Sequence, residues 1–283
     1  MEGWPSVRAP VAAAILAGVP ATAVAASPAD QYRTVNVNYV YASTLGFGGY
    51  SLAGLDASVY TLPLAHSFLL DANGAVLRVT LPIQLGLFSF HGTDTDGTRI
   101  AIAQQSLAIV PGAELQLPIT ANTVLAPFAA FGAAHAFGQG SPNSLIYDGG
   151  VRTVTQWPLG AYTLAVGEGV LFAGDQTTGG GFGESYVALE TGVEVRRPLG
   201  FSIRGITPDL GAYAVAYYYP KPLQFSRFLA PPLLVRAQGE VGLTLGTTQP
   251  IDGLRWLGNT RIGIGYVFGD GLQVWHVVFG FPL

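Results

Sequence analysis

The segment RIGIGYVFGDGLQVWHVVFGFPL, Arg261 to Leu283, reads as two strands around a Gly269-Asp270-Gly271 turn. Strand side chains alternate between two faces. Trp275, Val277, Phe279, Phe281 and Leu283 therefore share one face, and that face is apolar and aromatic. Soluble proteins seldom end on such a strand, and they blunt exposed sheet edges with charge, proline or bulges. A strand that keeps both grease and an unpaired edge is expected to face lipid and to pair with the first strand, closing an antiparallel barrel.

The composition points the same way. The chain is 49% hydrophobic and 11% charged, against about 25% charged in ordinary soluble domains. A helical membrane protein would need apolar runs of about 18 residues or more, and beyond the extreme N-terminus there are none. That N-terminus resembles a secretory signal. Arg8 supplies positive charge, Val11 to Ala25 is apolar and Ala-rich, and Ala23-Val24-Ala25 offers a small-residue cleavage site. A buried or anchoring helix is the competing reading, disfavoured by Pro20 and by the lack of a basic flank. Residues 1–25 are thus expected to be a signal peptide, 26–32 a short periplasmic segment and 33–283 the barrel. The expected location is the outer membrane of a Gram-negative cell, with outer-membrane lipid and lipopolysaccharide as surroundings.

There is no Cys, which excludes disulfides, thiolate metal sites and Cys nucleophiles. The net charge of −4 gives no basic footprint for nucleic acid. No cofactor is expected.

Polar and Gly-rich breaks divide the chain into twelve expected strands: Arg33 to Phe47, Ala57 to Leu70, Ala75 to Phe90, Arg99 to Pro118, Val124 to Phe137, Gly150 to Trp157, Tyr162 to Ala173, Glu184 to Arg197, Phe201 to Tyr218, Leu233 to Thr247, Arg261 to Phe268 and Leu272 to Leu283. The fold class is all-β, an up-and-down transmembrane barrel, and the even number places both termini in the periplasm. The turns at Asp71 to Gly74, Thr120 to Thr123, Pro158 to Gly160, Pro198 to Gly200 and Gln249 to Gly253 become the periplasmic set. The longer breaks at Gly48 to Asp56, His91 to Thr98, Gly138 to Gly149, Asp175 to Gly183 and Tyr219 to Ala230 become external.

Charge placement assigns the faces. In Glu184 to Arg197, the residues Glu184, Tyr186, Glu190, Glu194 and Arg196 oppose Val187, Leu189, Val193 and Val195; in the third strand, Leu77 to Leu87 oppose Arg78, Thr80 and Gln84; in the tenth, Leu233, Val235, Val241, Leu243 and Leu245 oppose Arg236, Gln238, Glu240 and Thr244. A lipid-facing Arg at the bilayer midplane costs about 2 to 4 kcal/mol. The charged sides are therefore expected in the lumen, where Arg78, Glu114, Gln116, Glu190, Glu194, Arg196, Arg204, Arg236, Glu240 and Arg261 would form a polar network. Such a network either interlocks and fills the lumen or lines a narrow aqueous path. Paired opposite charges favour a constricted or plugged lumen.

Two segments resist this scheme. Glu168 shares parity with Tyr162, Leu164, Val166, Val170 and Phe172, so either a bulge at Gly167 or Gly169 resets the register or the strand turns its aromatics inward. Val124 to Phe137 barely alternates. Tyr39, Tyr41, Tyr213, Tyr217, Trp157, Trp256 and Trp275 are expected in interfacial belts.

Catalytic signals are weak. There is no Gly-x-Ser-x-Gly elbow, and His66, His91, His135 and His276 lack metal-ligand spacing. His276 is expected to face the lumen as a structural polar contact. Asp94-Thr95-Asp96-Gly97 begins like a calcium loop, but Gln105 stands where that pattern needs Glu. Gly179 to Gly183 lacks the following helix of a phosphate cradle. No catalytic residue is assigned.

The terminal hairpin Arg261 to Leu283, together with the twelve-strand count, resembles autotransporter translocator barrels, in particular the solitary barrels without a secreted passenger. This resemblance implies recognition of the last strand by the barrel-assembly machinery, with Trp275, Val277, Phe279, Phe281 and Leu283 as the assembly signal. The chain ends Pro282-Leu283 where that family commonly ends in Phe. Residues 26–32 are also too few for the helix that threads a translocator pore. The expected function is that of a non-enzymatic outer-membrane barrel with a structural, surface-interaction or narrow-pore role. A channel for small solutes and a lipid-modifying enzyme are the alternatives.

Overall fold

The architecture comes from a computed structural model, which describes residues 47–52, 55–93, 99–137, 143–178, 183–225, 233–247 and 261–281. The signal sequence, the 26–32 segment, all of the expected first strand except Phe47, the Asp94 to Gly97 and Gly179 to Gly181 stretches, the Gln249 to Gly253 turn, Tyr39, Tyr41, Trp256 and Leu283 lie outside the described residues.

The described residues form thirteen β-segments: β1 (Phe47–Leu52), β2 (Leu55–Leu69), β3 (Val76–Thr93), β4 (Arg99–Ile109), β5 (Gly112–Pro118), β6 (Thr123–Phe137), β7 (Asn143–Leu159), β8 (Tyr162–Thr177), β9 (Gly183–Pro198), β10 (Pro208–Phe225), β11 (Leu233–Thr247), β12 (Arg261–Gly269) and β13 (Leu272–Phe279). Each pairs antiparallel with its neighbours. The ring closes where β1 pairs with β13 in the register Phe47 with Val277 through Leu52 with Leu272. No helix occurs among the described residues.

β4 and β5 are halves of one stave. Pro111 has no N–H and interrupts the ladder, yet the register does not slip: Ile109 faces Ile83 and Ala133, and Gly112 faces Thr80 and Ala130. Gly132 permits the close crossing, because a Cβ there would strike the Ile109 carbonyl and Val110. Thirteen segments therefore make a barrel of twelve staves, as the sequence predicts.

Burial alternates along the staves. On β9, Tyr186, Ala188, Glu190 and Glu194 are buried while Leu189, Val193 and Val195 are exposed. β6 follows the same rule despite its weak pattern, with Ala126, Ala134 and Ala136 inward and Phe131 and Phe137 outward. The lower end of the barrel carries the turns at 70–75, 119–122, 160–161 and 199–207; the upper end carries the Gly269 to Gly271 turn. At the lower end, Asp71 Oδ1 accepts the N–H groups of Asn73 and Ala75, each at 3.0 Å, and Gly74 takes φ 87°. This Asx geometry is what Asp and Gly supply in a tight turn.

Four boundaries differ from expectation. The Gly48 to Asp56 stretch is not one open loop, since Phe47–Leu52 is strand and Leu52 faces Leu55. β7 starts at Asn143, inside the expected 138–149 loop, because Leu145, Tyr147 and Gly149 continue the outward alternation. β8 runs on to Thr177. β10 is displaced from Phe201 to Tyr218 onto Pro208–Phe225, because Ile203 and Ile206 bridge around Arg204 (φ 53°) and Gly205 (φ 81°) and spend the first residues on a turn.

On β11 the alternation breaks above Gln238. Val235 turns inward and Arg236 is exposed. The pairing with β10 shifts between Tyr218 and Leu223, as a bulge requires. The two-residue turn Asp270 (φ 44°) and Gly271 (φ 81°) has the positive φ pair of a primed hairpin. It points Asp270 Oδ2 at the bulge, where it accepts the N–H groups of Arg236 at 2.7 Å and Ala237 at 3.2 Å. These two donors hold the Asp270 carboxyl below its ordinary value of 3.8. Because the folded-state value is depressed, the contribution is fully present above the ordinary value and is lost as pH falls through the lowered one. Hydrogen exchange at neutral pH should show protected Arg236 and Ala237 amides whose protection falls on strong acidification; Asp270→Ala should remove it at every pH. Equal protection in that variant would refute the role given to Asp270.

Candidate functional site: the barrel lumen

The inward side chains include a charged cluster in the lower half and an apolar cluster in the upper half, where Ser144 and Asp175 are also buried. Near the lower end, β9, β10, β11 and β12 bring Glu194, Asp209, Thr244 and Arg261 together, all buried. Arg261 hydrogen-bonds Asp209, donates from Nη1 to Thr244 Oγ1 at 2.8 Å, and sits 3.3 Å from Glu194 Oε1. Thr244 Oγ1 in turn donates to Glu194 Oε1 at 2.5 Å. Arg196 lies 3.7 Å from the other Glu194 oxygen and donates to Gln156 Oε1 at 2.6 Å. One guanidinium thus holds two carboxylates from different strands, the bidentate capacity that distinguishes Arg from Lys.

Midway up, Glu240 collects three partners. The Tyr213 hydroxyl donates to Oε1 at 2.6 Å, the Tyr217 hydroxyl donates to Oε2 at 2.7 Å, and His276 Nε2 lies 2.8 Å from Oε1. Across the lumen, Arg152 sits 3.8 Å from Glu190 and lies over the Phe128 ring at 4.2 Å. Arg78 and Glu114 are cross-strand partners on β3 and β5, and Gln116 Nε2 donates to Glu114 at 2.6 Å. Tyr219 donates to Gln238 Oε1 at 2.7 Å at the top of the polar zone.

Above that level a single apolar cluster draws residues from all round the wall, including Val59, Phe88, Ala136, Ile146, Leu171, Leu223, Val267 and Leu272. Ile146, Ala173, Val235 and Val274 are 0% exposed. Side chains on the same and adjoining staves cover these residues. The upper lumen wall is thus lined largely by buried apolar side chains.

Of the ten expected network residues, eight face inward: Arg78, Glu114, Gln116, Glu190, Glu194, Arg196, Glu240 and Arg261. Two do not. Arg204 is in the exposed lower turn and Arg236 at the exposed bulge, because both were counted on strands whose register breaks beside them. Tyr213 and Tyr217 are also corrected: they face the lumen as donors to Glu240 and are not outward belt residues. His276 is in the lumen as expected. Sequence reasoning missed Asp209, Arg152 and Gln156. Asp209 shares parity with Tyr213, and Arg152 and Gln156 share one face of the expected strand Gly150 to Trp157.

In the terminal strand, Trp275 is 59% exposed on the outer face beside Tyr266, ring centroids 4.7 Å apart, and Val277, Phe279 and Phe281 are half-buried. Glu168 needs a correction of a different kind. The β8 register runs unbroken from Thr163 with Arg196 to Gln176 with Gly183, and Val170 and Phe172 are exposed. Neither a bulge nor an inward turn of the aromatics occurs; Glu168 itself points outward.

No protein-family model matches the chain, and no curated protein matches its sequence. Among the described residues no group of three or more His, Asp or Glu could hold a metal ion.

Removing one member of a buried ionic cluster strands its partners and typically costs about 3 to 5 kcal/mol. Arg261→Met should lower barrel stability by that order in urea titrations followed by tryptophan fluorescence. Adding Asp209→Asn should restore part of the loss. Strict additivity of the two substitutions would disprove the coupling.

Proposed function

We propose that the chain is an integral outer-membrane barrel with a structural or surface-interaction role and a lumen closed to solutes. The observation that carries this reading is the apolar cluster lining the upper lumen above interlocked ion pairs. Val235, Val274, Ile146 and Ala173, all inaccessible, put apolar side chains into the upper lining, where the polar Ser144 and Asp175 are buried as well. The outer wall supports placement in lipid: Leu81, Leu85, Leu189, Val193, Val241, Leu243, Ile262 and Ile264 are all 40% or more exposed. That apolar exposure is far more than a soluble monomer tolerates as one continuous surface. Staves of 15 to 18 residues such as β2, β3 and β10 exceed the roughly 9 to 11 that cross the hydrocarbon.

Purified protein in planar bilayers should stay silent, and the native protein should leave the membrane fraction only with detergent. Discrete conductance would favour the small-solute channel, and recovery in the aqueous fraction would overturn the membrane assignment.

The assembly signal belongs to the same reading. Trp275, Val277, Phe279, Phe281 and Leu283 would be presented to the barrel-assembly machinery as the last strand adds to the first. Truncation after Gly280 should reduce folded, heat-modifiable barrel in cells severalfold while leaving refolding into detergent micelles nearly unchanged. Undiminished assembly in cells would remove these residues from that role.

A further inference from the structure

Glu168 stands in the middle of β8, seventh of sixteen residues, on the outer face. Val170 and Phe172 lie above it, and Leu189, Val193 and Val151 surround it on the adjoining staves, all about 40% exposed or more. Its cross-strand partners are Thr153 on β7 and Thr191 on β9. This puts a carboxyl between two hydroxyl side chains at the waist of an otherwise apolar wall. Among the described residues it has no ion-pair or hydrogen-bond partner, whereas the outward Arg197 sits over Tyr162 near the lower end. Beyond Thr191 the wall flattens, since Ala216 is its register partner on β10, and Ala212, Ala214 and Ala216 are exposed in one column.

We propose that this wall, β7 to β10, is the contact between two copies of the chain, related by a two-fold axis parallel to the barrel axis, with the two Glu168 carboxyls hydrogen-bonded to each other. The proposal rests on the membrane reading above. A carboxyl without a partner near the middle of a lipid-facing wall is destabilising. Two carboxyls are mutually complementary, because an adjacent pair holds a shared proton and so offers both donor and acceptor. A two-fold axis along the membrane normal keeps both copies upright and at equal depth, so a residue at the axis meets itself. A partner of other chemistry would have to carry its own donor at that depth. The column of small Ala side chains lets a second wall approach closely, as small residues do between membrane helices.

The absence of Cys makes cross-linking clean. Val170→Cys, two residues above Glu168 on the same face, should be captured as a dimer by a short bifunctional thiol reagent in reconstituted vesicles. Leu62→Cys, on the outward face of β2 away from this wall, should not. In the Val170→Cys background, Glu168→Gln, which keeps a donor and an acceptor, should retain the cross-link, and Glu168→Leu should reduce its yield at least tenfold. Yield no greater than that of Leu62→Cys, or yield unaffected by Glu168→Leu, would overturn the dimer. Membrane fractionation of the same samples separates the two readings: protein that stays in the membrane without cross-linking refutes the dimer alone, and protein found in the aqueous fraction refutes the membrane reading beneath it.

Discussion

Every stave depends on the pairing of β1 with β13. A sheet of this width, left open, would present two long rows of unpaired N–H and C=O groups, and each group left without a partner in an apolar medium costs several kcal/mol. The six register pairs from Phe47 with Val277 to Leu52 with Leu272 join the two edges. Once they are joined, the inside and the outside are defined for every residue on the wall. The closing strand is lined by Gly48 and Gly49, and a Cβ at Gly48 would collide with the Trp275 carbonyl and His276. The seam is therefore held by backbone approach more than by side-chain packing.

Closure leaves a cylinder that must be filled, and the chain fills it in two ways. At the lower end, charge does the filling: Arg261, Glu194, Asp209 and Thr244 form a knot in which each carboxylate has a cation within reach. At the upper end, buried apolar side chains from all round the wall line the interior. Buried ion pairs are poor contributors to net stability because desolvation offsets their attraction, but they tie β9, β10, β11 and β12 into one register. A slip of one residue would turn Glu194 and Glu240 outward and Val193 and Val241 inward. The polar half thus specifies the pairing, and the apolar half supplies burial in a chain that has no disulfide to contribute.

The parts legible in the sequence were those where alternation was strict. Glu184 to Arg197 opposes charged and apolar residues so cleanly that its faces could be read directly, and the structure keeps them. Glu190, Glu194, Glu240 and Arg261 could be placed for the same reason. What failed did so where parity changes without a compositional mark. Val235 and Arg236 read as outward and inward, and the bulge reverses them; its cause is a side chain thirty-odd positions away, Asp270, capturing two backbone N–H groups. Arg204 read as strand because Phe201 and Ile203 alternate, yet Arg204-Gly205 is a turn with positive φ at both residues. Tyr213 and Tyr217 read as interfacial because Tyr favours headgroup boundaries, and only the position of Glu240 on the next strand reveals them as its donors.

Glu168 tests how far the alternation rule binds a strand. Moving its carboxyl inward would require β8 to slip one residue against both neighbours. Leu171, Ala173 and Asp175, all buried, would then turn out, and Val166, Val170 and Phe172 would turn into a lumen already packed against Tyr186 and Ala188. A bulge confined to Gly167 or Gly169 would break only one side, but Gly169 is pressed between Arg152 and Glu190, where even a Cβ would crowd the Glu190 carboxylate. The inner wall therefore leaves no room for the register to relax. The outward carboxyl is held in place by the Arg152–Glu190 ion pair behind it.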